Sequence, residues 1–168
     1  EVLGELLNVI ASSVGSLSNP TRLSNTFKSV KGLNVKNETI STYLDCFIDA
    51  YILCKSYRYD IKGRSYIDTP LKYYFTDIGL RNARLNFRQQ EENHIMENII
   101  YNELIARGFN VDVGVVEDNH IDENGKKVRS QLEVDFVVNQ TEKRYYIQSA
   151  LTVADEDKRK QEVNSLNR

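Results

Sequence analysis

Two carboxylates set two residues apart, Glu133 and Asp135, are the side chains of this sequence best arranged to do chemistry. Leu132, Val134, Phe136 and Val138 alternate with Glu133, Asp135 and Val137, the period of a β-strand with one buried face. Both acids therefore project to the same side. A polar turn over residues 139–143 leads into a second strand rich in Tyr and Ile, on which Gln148 and Ala150 share a face. Carboxylates offered from neighbouring strands hold a hard cation such as Mg²⁺, and a lysine two residues along would orient or activate water there. The plain alternative is that Glu133 and Asp135 form the solvent face of an antiparallel strand.

The elements that must position these residues can be read from periodicity and caps. Leu3, Leu6, Leu7, Ile10 and Val14 recur at helical spacing and predict an amphipathic first helix. Asn19-Pro20 starts a second, with Asn19 as N-cap and Pro20 in its first turn. Asn37 is expected to cap a third, whose stripe is Ile40, Tyr43, Leu44, Phe47 and Ile48. A β-hairpin follows, turning around residues 60–63 and returning to residues 72–76. Three helices and then a hairpin are the order of a winged helix-turn-helix. Residues 77–93 read as a linker. A helix over residues 93–107 has Met96, Ile99, Ile100 and Leu104 as its expected stripe, with Glu97 at the edge and Gly108 as its stop. Residues 111–116 read as a strand, Asn124-Gly125 as a hairpin signal, and residues 155–166 as a charged last helix.

The third helix presents Thr39, Ser41, Thr42, Asp45 and Asp49 outward, without the arginines that read guanine. The hairpin is richer. Lys55, Arg58, Lys62, Arg64 and Lys72 are interleaved with Tyr57, Tyr59, Tyr66 and Tyr73, a pattern suited to phosphate contact and base stacking, or equally to a solvated hairpin with tyrosine pairs.

Composition narrows the field. The chain has 168 residues, 40% hydrophobic and 27% charged, which is that of a folded globular chain. No apolar run approaches the ~20 residues that cross a bilayer, so no membrane partner is expected. Two cysteines, Cys46 and Cys54, make no disulfide framework and point to a reducing, cytoplasmic setting. Residues 1–80 carry nine Lys and Arg against eight Asp and Glu, too even a balance for tight unaided nucleic-acid binding. The first residue is Glu1 rather than Met, so a fragment of a longer protein is expected. No Gly-rich phosphate loop and no zinc spacing of Cys and His occur. The stretch Asp118 to Gly125 departs from calcium-loop spacing and reads as a hairpin tip.

Several words in this order resemble the C-terminal region that follows the ATPase domain in a large group of bacterial and archaeal AAA-type ATPases, a domain of unknown function. They are Ala11-Ser12-Ser13-Val14-Gly15, Thr39-Ile40-Ser41-Thr42-Tyr43-Leu44, the run from Lys72 to Leu80, the run from Met96 to Leu104, Glu133-Val134-Asp135-Phe136 and Tyr146-Ile147-Gln148. The resemblance implies an α+β chain of two parts. A winged-helix domain takes residues 1–80, a linker 81–92, and a restriction-endonuclease-like three-layer domain 93–168, truncated at its C-terminus. It also implies a missing N-terminal ATPase domain, which would be the partner and would hold the ATP.

The endonuclease-like superfamily sets an Asp on one strand and Glu-x-Lys on the next. Carried over, Asp135 is the metal-facing Asp, Glu97 the helix acid, and Gln148 stands for the second acid. Ala150 lies where the Lys would be. With Glu133 these form a vestigial catalytic set, and Asp135 and Glu97 would be the ligands if Mg²⁺ bound; the fragment itself is expected to need no cofactor. Loss of acid–base help is worth ~10²–10⁴-fold in rate. The expected function is a non-catalytic nuclease-like module binding DNA or a protein partner. The alternatives are an active Mg²⁺-dependent deoxyribonuclease with an altered site and a purely protein-interaction or regulatory domain.

Overall fold

In a computed structural model, which describes residues 2–88, 91–121, 125–152 and 156–167, three helices precede the first strand and further helices are interspersed with the strands of a mixed sheet, an α+β architecture. Helix α1 spans Val2–Ser12, α2 Pro20–Thr26 with a π-helical turn over Phe27–Lys31, and α3 Asn37–Asp49. The Asn19 side chain caps α2 by accepting from the Arg22 amide at 2.7 Å, with Pro20 in the first turn as the sequence predicts. Asn37, expected as the cap of α3, is instead inside the helix, where its amide donates to Thr21 Oγ1. The α3 stripe buries Ile40, Leu44 and Phe47 against α1 and α2.

Strands β1 (Leu53–Asp60) and β2 (Ser65–Phe75) form the hairpin in the expected place. It does not project alone. The other edge of β1 pairs in parallel with β3 (Asn110–Ile121) through Arg58, Tyr59 and Asp60 against Val113, Gly114 and Val115. With β4 (Lys127–Gln140) and β5 (Lys143–Ile147), both antiparallel, the hairpin completes one five-stranded sheet in the order β2-β1-β3-β4-β5. Residues 122–124, where the Asn124-Gly125 hairpin signal falls in part, lie outside the described residues, but β3 and β4 are paired up to Ile121 and Lys127 on either side.

Two elements depart from the sequence reading. The segment read as a linker opens with helix α4 (Ile78–Arg84), because Asp77 caps it by accepting from the amides of Gly79 and Leu80. Arg81 is then drawn inside and donates Nε–H to the Ala11 carbonyl. Helix α5 (Glu92–Ala106) buries Glu97, Asn98 and Tyr101 most deeply; of the predicted stripe, Ile100 and Leu104 pack half-buried against the core, while Ile99 is 52% exposed. The reason is a polar latch. The Asn98 side chain accepts from the Phe75 amide at 2.9 Å and donates to the Phe75 carbonyl at 2.8 Å, which fixes the end of β2 on the helix.

The alternation of β4 is also broken. Between Val134 and Val137 it takes three steps while β3 takes two, Gly114 to Asp112. This is a β-bulge, a device that re-aims side chains. Val134 and Val137 consequently close on one side over Gly114, where an added Cβ would stand 2.8 Å from each. Phe136 turns the other way, with its ring centroid 6.3 Å from Tyr74 and 6.4 Å from Tyr101. The predicted single face of Val134, Phe136 and Val138 is therefore split by one extra residue. Helix α6 spans Glu156–Asn164. Among the described residues no helix is long and apolar enough to cross a membrane.

Candidate functional site

Strand β2, helix α5 and strand β4 bring together Lys72, Tyr74, Glu97, Glu133 and Asp135. Lys72 and Tyr74 share a face of β2 because they are two apart. The Lys72 ammonium stands 2.8 Å from Glu97 Oε1 and 2.6 Å from Glu133 Oε1, and is 3% exposed. The Tyr74 hydroxyl donates to the same Glu97 oxygen at 2.7 Å. From the N-terminal helices Gly15, at φ +73, comes close enough that a Cβ would sit 3.2 Å from Glu97 Oε2.

Asp135 is bound separately. Its Oδ2 accepts from both the amide and the hydroxyl of Ser149 at 2.7 Å. The Asp135 amide in turn donates to the Gln148 side-chain oxygen at 3.3 Å, and Ser165 donates to that oxygen from beyond α6.

The electrostatics follow from burial. Loss of water raises the Glu97 carboxyl above its ordinary value; Lys72 and Tyr74 oppose the rise and the Asp135 charge adds to it. Burial lowers the Lys72 ammonium, but Glu97 and Glu133 outweigh it and its pKa stands above 10.5. Tyr74 is held well above the usual phenol range, first by burial and then by Glu97, so it stays a donor.

The sequence-predicted acids are thus brought together, and the lysine absent at Ala150 is met by one from another strand. Lys72, expected on the hairpin surface, is inside. Arg58 is buried too, with Nη2 donating to Gln131 Oε1 at 3.1 Å. Lys55 is half-buried against Tyr57, with Nζ 5.5 Å from the ring centroid. Only Lys62 and Arg64, at the exposed β1–β2 turn, keep the surface position expected of all five. The inward turn of Lys72 was legible in one respect: its spacing from Tyr74 demands a common face. The Ser149 contribution carried no signal.

A divalent cation does not fit this arrangement as it stands. The Lys72 ammonium fills the space between Glu97 and Glu133, and among the described residues no three His, Cys, Asp or Glu side chains gather to hold a metal.

Comparison with known proteins gives a match to the family described as Domain of unknown function (DUF8612) over residues 1–91. A Haemophilus influenzae protein described as uncharacterized is 33% identical over 154 residues, which are 92% of this chain and 35% of the relative. The chain thus spans about a third of that relative's length. No solved structure matches.

Proposed function

The chain belongs to the DUF8612 family of domains of unknown function, and from that premise we propose that it is a nuclease-like module that does not cleave, engaging DNA or a protein partner for an attached AAA-type ATPase. The observation that carries this reading is the Lys72 ammonium seated between Glu97 and Glu133. An acid cluster that brings its own cation has no need of Mg²⁺, and an amine held by two carboxylates is not free to activate water. In this reading the N-terminal helices and hairpin are a winged-helix part and the remainder a restriction-endonuclease-like part. The module works in the cytoplasm, in keeping with its two free thiols. The match to only 35% of the Haemophilus influenzae relative leaves room there for a further domain.

The purified chain incubated with supercoiled and single-stranded DNA in Mg²⁺ or Mn²⁺ is expected to leave both intact. Cleavage that disappears in Asp135→Ala would overturn the reading. It would promote a second one, a metal-dependent deoxyribonuclease, which one observation favours: a lysine does stand beside the acids, although it comes from β2 rather than from position 150.

A further inference from the structure

A second site lies away from the acid–lysine cluster, at the end of the sheet near the β4–β5 turn. A cavity of about 520 Å³ opens there, lined by Tyr59, Tyr66, Tyr101, Asp112 and Arg144, with Lys55 at its edge. Its volume is within the range that holds a small organic ligand. Five strands and α5 contribute to it, so its walls are fixed by the fold rather than by a loop.

Asp112 is its most telling member. The residue is 7% exposed, and its Oδ2 accepts from the Tyr66 hydroxyl at 3.1 Å. Among the described residues its Oδ1 accepts no hydrogen bond. Asp112 Oδ1 is reached by solvent through the cavity, so a donor entering there can approach it. Burial raises the Tyr66 phenol, as does Asp112, so Tyr66 remains protonated and donates to Oδ2. The walls add two further demands. Tyr59 and Tyr66 pack edge to face, with centroids 5.4 Å apart, and offer flat apolar surface. The Arg144 guanidinium lies over the Tyr59 ring at 5.1 Å. Two cations, Lys55 and Arg144, against one carboxylate make the mouth unfavourable for an ammonium guest, the usual occupant of a tyrosine cage. They favour a guest with an anionic flank.

A flat ring, a donor edge and an adjoining phosphate together describe one class of ligand. We propose that this cavity binds an amino-bearing nucleobase of a single-stranded nucleic acid or nucleotide, its exocyclic amine donated to Asp112 and its phosphate set against Arg144 and Lys55. The inference rests on the DNA arm of the reading above and deepens it. Base stacking on tyrosine, the amine-to-carboxylate bond and phosphate contact are each established recognition elements.

Fluorescence anisotropy with the full chain and labelled oligo(dC) or oligo(dT) of about 12 nucleotides tests it. Cytosine has the exocyclic amine and thymine lacks it, so oligo(dC) is expected to bind about tenfold more tightly. Asp112→Ala should erase that difference. Arg144→Gln should weaken both by about tenfold and lower the salt slope by about one. Tyr66→Leu should weaken both. Competition by free dCMP identifies a mononucleotide site, and failure of dCMP to compete identifies a strand; either supports the assignment. Equal binding of the two oligonucleotides by the wild type, or unchanged affinity in Arg144→Gln, would overturn it. Arg144 and Tyr66 are exposed, so those variants decide the matter if Asp112→Ala lacks the native near-UV spectrum. Duplex DNA with Lys62→Ala/Arg64→Ala tests the broader module independently, so loss of one binding mode is distinguishable from loss of the other.

Discussion

Lys72 makes the difference between an open acid cluster and a neutralised one. Removing it would leave Glu97 buried beside Glu133 and Asp135 without a counter-charge. Breaking a buried pair from one side typically costs about 3–5 kcal/mol, and Lys72→Met is expected to lose stability on that scale in urea unfolding. Adding Glu97→Gln should recover part of the loss, since the uncompensated charge goes with it. If Lys72→Met is neutral, the pair has no structural weight. The same residue contributes to alkaline sensitivity. Its folded pKa is raised above 10.5, Tyr73 is pushed up to about 12 by burial, and Tyr74 and Tyr101 are raised by burial as well. In each case the native state holds its proton more tightly than the unfolded one. That stability is fully present below the unfolded values, 10.0 for tyrosine and 10.5 for lysine, and is lost as pH rises through the folded values. Thermal unfolding should therefore be level from pH 8 to about pH 10 and fall steeply above it. Glu97 shifts the same way at the acid end. Its raised pKa favours the native state below its ordinary 4.5 and ceases to do so as pH rises through the folded value.

Secondary structure was legible wherever one local rule governed it. The Asn19-Pro20 cap, the α3 stripe and the alternating hairpin all form as their residues dictate. Elements governed by a distant partner were not. Helix α5 buries Glu97 and Asn98 because a strand end and an ammonium await them, and no periodicity of α5 itself encodes those partners. The β4 bulge is likewise a pairing property: the count of residues between Val134 and Val137 is meaningful only against β3. Yet the bulge left a trace in Gly114, which lacks a side chain where two valines converge. Gly114→Ala would press a methyl into both and is expected to cost about 1–3 kcal/mol, the range for overpacking, by denaturant midpoint. A stability equal to wild type would mean that the two valines do not close there. The candidate site was half legible. Its acids follow from spacing and resemblance, whereas its lysine comes from a strand whose basic residues alternate with tyrosines as those of a surface hairpin do.

At the scale of the whole molecule, one sheet joins the hairpin to the strands that follow α5, and of the five basic residues of the hairpin only Lys62 and Arg64, at the β1–β2 turn, stay exposed. If duplex DNA is engaged there, Lys62→Ala/Arg64→Ala should weaken binding and reduce the salt slope by about two, one for each phosphate no longer neutralised. Filter binding across a salt series would measure it, and an unchanged slope would point to a protein partner instead. The joining of hairpin and sheet has a further consequence for synthesis. Strand β1 emerges early, pairs with β2 on one side, and keeps bare amides and carbonyls on the other until Val113, Gly114 and Val115 have been made. Through that interval the nascent chain exposes an open strand edge, a template for any extended segment nearby. A piece ending at residue 91, where the family match stops, would carry that edge permanently.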